Sequence, residues 1–191
     1  MRWGLVAGWV LLLTLGGGVS AQAHLMGKGH CTLNIVKNKA YIVMSVSVSV
    51  FSESGAAEAV SDGVLTAKEL RTHSEALRKA IRSGLTVRDG DVPVTFSSIL
   101  LNLPKGDHHP TGRSAELTAM IVAPLRPKAG ESGAIEVENT LWAPTERRLK
   151  LRATVTEAGR TLRNETVELT PAQGRHRFFG SSMETPSVSR D

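Results

Sequence analysis

Oxygen-bearing side chains recur between Glu58 and Glu69 at the spacing of a calcium-binding loop. Such a loop has twelve residues, with oxygen ligands at the first, third, fifth, seventh, ninth and twelfth places and glycine at the sixth. When Glu69 is set at the twelfth place, Gly63 falls on the glycine place, where the chain must turn sharply. The predicted calcium ligands are then Glu58, Asp62, the backbone carbonyl of Val64, Thr66 and Glu69.

The front half of this loop departs from the pattern. Val60 stands at the third place and has no side-chain oxygen, and Glu58 is longer than the usual Asp. Losing one carboxylate predicts weak calcium binding, with a Kd of about 1 mM or higher. The alternative is that the stretch is a glycine-centred turn that caps a helix and binds no ion.

The first residues of the chain have the three parts of a secretory signal. Arg2 is followed by the apolar run Leu5–Leu15 and by Ala21-Gln22-Ala23, a cleavage pattern of small residues. We expect residues 1–23 to be removed after Ala23, with Ala21 as the alternative, and the mature chain to have no transmembrane segment. Cys31 is the only cysteine, which fits export to a bacterial periplasm, or secretion, without disulfides.

Cleavage after Ala23 would create a second candidate metal site. His24 would become the N-terminal residue, whose free amine and ring nitrogen together can chelate copper, and imidazole ligands suit copper. His30 lies near along the chain, and His108 and His109 lie in a polar loop. The alternative cofactor is therefore copper, with His24 and His30 as ligands.

Hydrophobic periodicity predicts a mainly β domain over residues 24–180, antiparallel and sandwich-like. Tyr41–Phe51 alternates apolar and polar residues, which is typical of a half-buried strand. One helix is inserted after the degenerate loop: Thr66 and Glu69 form a capping box at its start, so that loop and helix span 58–83. We expect a disordered tail over 181–191. The other predicted strands are 31–36, 85–88, 91–96, 97–103, 115–123, 134–142, 149–155 and 160–169.

The stretch Ser61–Leu70, placed before a helix in an exported β-rich chain, resembles small EF-hand domain-containing bacterial proteins. The chain is also similar to the extracytoplasmic portion of HupE/UreJ-type membrane proteins, whose strands close on an aromatic pair like Phe178-Phe179. The resemblance implies a periplasmic accessory module that could be linked to a metal.

The remaining sequence features favour a binding or interaction module over an enzyme. No Gly-x-Ser-x-Gly elbow is present, and the acidic residues alternate on outward faces of strands. The net charge of +5 and an aromatic content of 4% argue against nucleic-acid binding. We expect an unidentified protein partner, which could be membrane-associated. A basic cluster is expected to be a solvated strand face or else a patch for a partner or anionic lipid: Arg147, Arg148, Lys150, Arg152, Arg175 and Arg177.

Overall fold

A computed structural model describes residues 29–52, 56–60, 62–104, 112–126, 134–145 and 147–180. The expected signal peptide over 1–23, the copper ligand His24, the His108-His109 pair and the expected tail over 181–191 lie outside these ranges. Across the described ranges, no helix combines the length and apolar character that crossing a membrane requires.

The described chain is mainly β with a single α-helix, which confirms the predicted class. Two short 3-10 turns, Val48–Phe51 and Ala57–Val60, precede the helix. The regular elements are β1 (His30–Val36), β2 (Lys39–Ser47), β3 (Leu65–Thr66), α1 (Ala67–Gly84), β4 (Leu85–Asp89), β5 (Val92–Pro93), β6 (Ser98–Asn102), β7 (Arg113–Ser114), β8 (Glu116–Pro124), β9 (Ile135–Asn139), β10 (Leu149–Glu157), β11 (Arg160–Leu169) and β12 (Arg175–Phe178).

The strands form a six-stranded sheet in the order β11-β10-β1-β2-β8-β6, a four-stranded sheet in the order β12-β9-β4-β5, and the short pair β3-β7. All pairings are antiparallel, as expected, except that of β1 with β10. These two strands run parallel over seven residue pairs, from His30 opposite Lys150 to Val36 opposite Thr156. This parallel pair makes the six-stranded sheet mixed. It also joins two strands that lie far apart along the chain.

Both larger sheets contribute side chains to one hydrophobic core. Leu33 and Ile121 come from the six-stranded sheet, Val137 comes from the four-stranded sheet, and Leu77 and Ile81 come from α1; all five are buried. Alternation along the strands places one face inward, so the architecture is sandwich-like with the helix packed into it.

Strand β2 ends earlier than its sequence pattern predicts. The alternation runs on to Phe51, but the chain leaves the sheet after Ser47 and makes a 3-10 turn. Val48 and Phe51 are fully buried, and the Val48 N–H bonds the Ala115 carbonyl at 2.9 Å. Core burial with a satisfied backbone therefore outweighs the local strand preference of the Ser-Val repeat.

Helix α1 begins as predicted. The Glu69 N–H donates to Thr66 Oγ1 at 3.1 Å, and the Thr66 N–H donates to Glu69 Oε2 at 2.8 Å, so each group satisfies a donor of the first turn. The helix ends at Gly84, where extended Leu85 begins β4. Gly84 is needed for space: a Cβ there would lie 2.3 Å from Leu141 Cδ2.

We predict that Gly84→Ala lowers the free energy of unfolding by about 1–2 kcal/mol, since overpacking against Leu141 exceeds the gain in helix propensity. Denaturant unfolding of the purified protein measures the change. Ser83→Ala, on the exposed neighbour, is the control and should leave stability nearly unchanged. Equal stability of Gly84→Ala and the wild type would contradict the close contact.

Candidate functional site

The Glu58–Glu69 loop is anchored by two buried apolar side chains. Val60, at the third place of the loop, is 1% exposed, and Leu65 is fully buried; both belong to the hydrophobic core. Gly63 lies between them with φ +73°, a conformation that glycine adopts without steric cost, and its N–H bonds the Val60 carbonyl at 2.9 Å. Val60 thus takes the place of a ligand because it packs the loop onto the core.

A guanidinium from a distant part of the chain meets the acidic side of this loop. Arg113 on β7 pairs in register with Thr66 on β3, and Arg113 Nη2 forms an ion pair with Asp62 Oδ2. Asp62 Oδ1 also accepts the Val64 N–H at 3.3 Å. Partial removal from water raises the pKa of Asp62. The hydrogen bonds from Arg113 and from the Val64 N–H, together with the positive charge of Arg113, outweigh this effect, so the pKa of Asp62 is lowered overall.

Glu69, the predicted bidentate ligand, is already engaged within the chain. Its Oε2 accepts both the Thr66 N–H and the Thr66 hydroxyl, each at 2.8 Å. These hydrogen bonds lower the pKa of Glu69, and the nearby positive charge of Arg113 lowers it further. The carboxylate therefore stabilises the helix start in its ionised form.

The structure brings three of the five predicted calcium ligands to one cluster. Asp62 forms an ion pair with Arg113, Thr66 lies opposite Arg113 in the β3-β7 pair, and Glu69 bonds Thr66. Val64 bonds Asp62 through its N–H, and Glu58 is exposed on the Ala57–Val60 turn. Within the ranges that the structure describes, no group of three or more His, Cys, Asp or Glu residues could hold a metal ion. Sequence reasoning missed Arg113, because only the β3-β7 pairing brings it beside the loop.

The copper hypothesis stays a prediction. His30 is exposed at the start of β1, and its proposed partner His24 lies outside the described residues. Cys31, the nearest thiol, is buried, and loss of water raises its pKa to about 12. A thiol with that pKa stays protonated at neutral pH and is a poor metal ligand.

A groove beside Trp142 contains several polar and charged side chains. It is lined by Trp142 and by ends of β9, β11 and β12. Two of its side chains bond within the chain: Arg175 Nη2 lies 2.7 Å from Glu138 Oε2, and His176 Nε2 lies 2.7 Å from Oε1 of Glu165 on β11. The Arg175–Glu138 pair joins the neighbouring strands β12 and β9 and contributes little where it is exposed, whereas the His176–Glu165 contact links the two sheets.

An apolar patch on the outer face of the six-stranded sheet was not expected from the sequence. Leu100 is 59% exposed and lies opposite Met120, which is 48% exposed and lies opposite Val43 on β2. Along the next row, Val122 lies opposite Tyr41, which is 40% exposed. We call these five residues the apolar patch. The unbroken apolar run 119–123 was the available signal, since both faces of such a strand are apolar.

We predict that Glu69→Gln reduces the loss of folding stability that the protein shows between pH 7 and pH 3. Because folding lowers the pKa of Glu69, its ionised form stabilises the fold at neutral pH, and this contribution is lost as pH falls below the ordinary value of 4.5 and through the folded pKa. Thermal unfolding from pH 7 to pH 3 should therefore show the wild type more stable than Glu69→Gln at pH 7 and the difference shrinking in acid. A constant difference across this range would contradict the assignment.

Comparison with known proteins assigns this chain to no family: no family model matches it, and neither does any curated protein sequence. The similarity to exported EF-hand domain-containing proteins and to the extracytoplasmic portion of HupE/UreJ-type proteins stays a prediction, carried by residues 61–70.

Proposed function

We propose that this chain is an exported, non-catalytic interaction domain that binds a partner protein through the apolar patch of its six-stranded sheet. The Glu58–Glu69 loop has a structural role in this proposal: it fixes α1 to the sheets and binds calcium weakly at most. The exposed apolar patch is the observation that carries the proposal, because contiguous apolar surface on a folded domain marks an interaction site.

The patch occupies one half of the outer face only. Its members come from β6, β8 and β2, and the same rows continue over β1, β10 and β11 with polar residues. Thr154 donates to Asn34 at 3.0 Å, and Arg152 donates to Asn164 at 3.1 Å on that polar half. A solvated sheet face alternates apolar-in and polar-out along all its strands. On β6, β8 and β2, by contrast, apolar residues stand at aligned positions of the outer face. This departure from the alternation is expected of a binding surface.

The surroundings of the patch favour a protein over a lipid surface. Its neighbours in the same rows are the uncharged Ser98, Thr32 and Asn34, and Lys39 lies beside Tyr41 on the same face of β2. Surfaces that lie on anionic membranes carry Lys and Arg beside the apolar residues. An apolar centre with a mainly uncharged polar rim, and with Tyr and Met among its members, is the composition of a protein interface.

We predict that a photo-crosslinking side chain at Leu100 forms a discrete protein adduct in the cells that make this protein. The same probe at Thr166, exposed on the polar half of the sheet, is the matched control and should give none. Met120→Lys should abolish the Leu100 adduct without unfolding the domain, because Met120 is exposed. Equal adducts from both positions, or adducts only with lipid, would contradict the proposal.

The positive charge of Arg113 limits how strongly the Glu58–Glu69 loop can bind calcium. Arg113 places a positive charge beside Asp62 and Glu69, where a calcium ion would need both carboxylates. The ion must therefore displace the guanidinium, and like charges repel. Calcium and Arg113 compete for the same oxygens, which predicts weak binding by the wild type.

We predict that Arg113→Gln raises calcium affinity on the order of tenfold, since one like charge is removed. Calorimetric titration with calcium measures the affinity, and Arg71→Gln on the exposed face of α1 is the charge-matched control. Adding Glu69→Gln to Arg113→Gln should abolish the gain. Identical titrations for wild type and Arg113→Gln would show that Arg113 does not occupy the ion's place.

A further inference from the structure

One side of helix α1 carries positive charges along its whole length. Lys68, Arg71, Lys79 and Arg82 are all exposed. At about 3.6 residues per turn, their positions fall within an arc of about 80° around the helix axis. The line from Lys68 to Arg82 is about 20 Å long. We call these four residues the basic stripe.

The charges of the basic stripe are not neutralised by neighbouring side chains. Within the part of the chain that the structure describes, none of the four forms an ion pair with a carboxylate. The two acidic residues of α1 are both engaged elsewhere: Glu69 accepts hydrogen bonds from Thr66, and Glu75 forms an ion pair with Arg78. The exposed side of α1 is therefore a surface of one sign.

The stability of the helix does not explain this distribution of charge. Arg82 lies in the last turn, where the helix dipole favours a cation, but Lys68 lies in the first turn, where the dipole disfavours one. An exposed helix side whose role is only to be solvated ordinarily alternates positive and negative residues, which then pair along the helix. An excess of one sign instead attracts a partner of the opposite sign.

The shape of the basic stripe indicates which kind of anion it fits. A single phosphate ion is bound by donors that converge on one point, whereas these four cations are spread along a line. A protein interface has an apolar centre, but no large apolar side chain of α1 is exposed. A straight row of cations without an apolar centre matches an extended plane of negative charges, such as the headgroups of anionic lipids.

We propose that α1 docks this domain on an anionic phospholipid membrane, with the side chains of the basic stripe contacting the headgroup phosphates. The helix stays packed on the domain when it docks, because Leu77 and Ile81 on its apolar side are fully buried in the core. The contact is therefore electrostatic and reversible, unlike that of helices that bury an apolar face in the lipid.

This inference goes beyond the proposed binding of a partner protein. The basic stripe lies on α1, whereas the apolar patch lies on β2, β8 and β6, and the two surfaces share no residue. Docking through α1 attaches the domain to a membrane, and the apolar patch binds the partner protein.

The basic cluster that the sequence predicts on the strands is a weaker candidate for this role. Arg148 forms an ion pair with Glu168, and Arg175 forms one with Glu138. These carboxylates offset part of the positive charge, whereas the basic stripe has no such partner among the described residues.

Co-sedimentation of the purified protein with lipid vesicles tests the proposal. Phosphatidylcholine vesicles with about one third phosphatidylglycerol are compared with pure phosphatidylcholine vesicles. We expect binding to the anionic vesicles only, and release when the salt concentration rises from about 0.05 M to about 0.5 M. An apolar N-terminal segment would bind both kinds of vesicle, so the difference between them reports the contribution of charge.

The double variants Lys68→Gln/Arg71→Gln and Lys79→Gln/Arg82→Gln should each lower the partition onto anionic vesicles on the order of tenfold, because each removes two cations near the surface. Combining all four substitutions should abolish binding. Glutamine has nearly the helix propensity of Lys and Arg, and circular dichroism checks that the variants are folded. The matched control removes the same charge from exposed positions outside α1, by changing to Gln the residues Arg147, Lys150, Arg160 and Arg177.

The control variant should bind nearly as well as the wild type. Equal losses in the control and in the stripe variant would mean that net charge alone attracts the protein, and would overturn the proposal. Equal binding to both kinds of vesicle, or binding to heparin through the stripe with none to vesicles, would overturn it too. If the fourfold stripe variant fails to fold, the two double variants make the same comparison. The crosslinking test at Leu100 uses a different surface, so either proposal can fail alone.

Discussion

The parallel pairing of β1 with β10 is the constraint on which the rest of the structure depends. It joins residues about 120 positions apart and places Leu33 and Ile35 beside Ala153 and Val155 in the core. Asn34 ties the pair on its other face, accepting hydrogen bonds from Thr154 and Thr156 at 3.0 and 3.1 Å. Because both strands are central, β2, β8 and β6 must extend the sheet on one side and β11 on the other. The position of the apolar patch on β2, β8 and β6 follows from that order.

The loop before α1 combines the spacing of an ion site with contacts that it makes within the chain. Its glycine turn and its capping carboxylate both have structural reasons, since Gly63 allows the turn and Glu69 completes the helix cap. Val60 fills the core instead of binding. Arg113 neutralises the acidic side chains that remain, and through β7 it holds the loop against the body of the domain. Weak calcium binding is the expected consequence of that competition.

Local patterns predicted most of the longer elements, but β12 was missed and only Val92–Pro93 of the predicted strand 91–96 is a strand. The capping box at Thr66 fixed the start of α1, and the Asp89-Gly90 pair lies at the turn between β4 and β5. Long-range pairings left no local signal. The parallel β1-β10 contact, the approach of Arg113 and the early end of β2 all depend on residues distant in sequence.

Residue-resolved hydrogen exchange on the dilute purified protein tests the central β1-β10 pairing most directly. Amides in the middle of β1 and β10 should exchange among the slowest in the molecule, since strands lie on both sides of each. The free-edge amides of β11 should exchange far faster. Exchange in the middle of β1 as fast as at the β11 edge would contradict the sheet order, and with it the position of the proposed interaction surface.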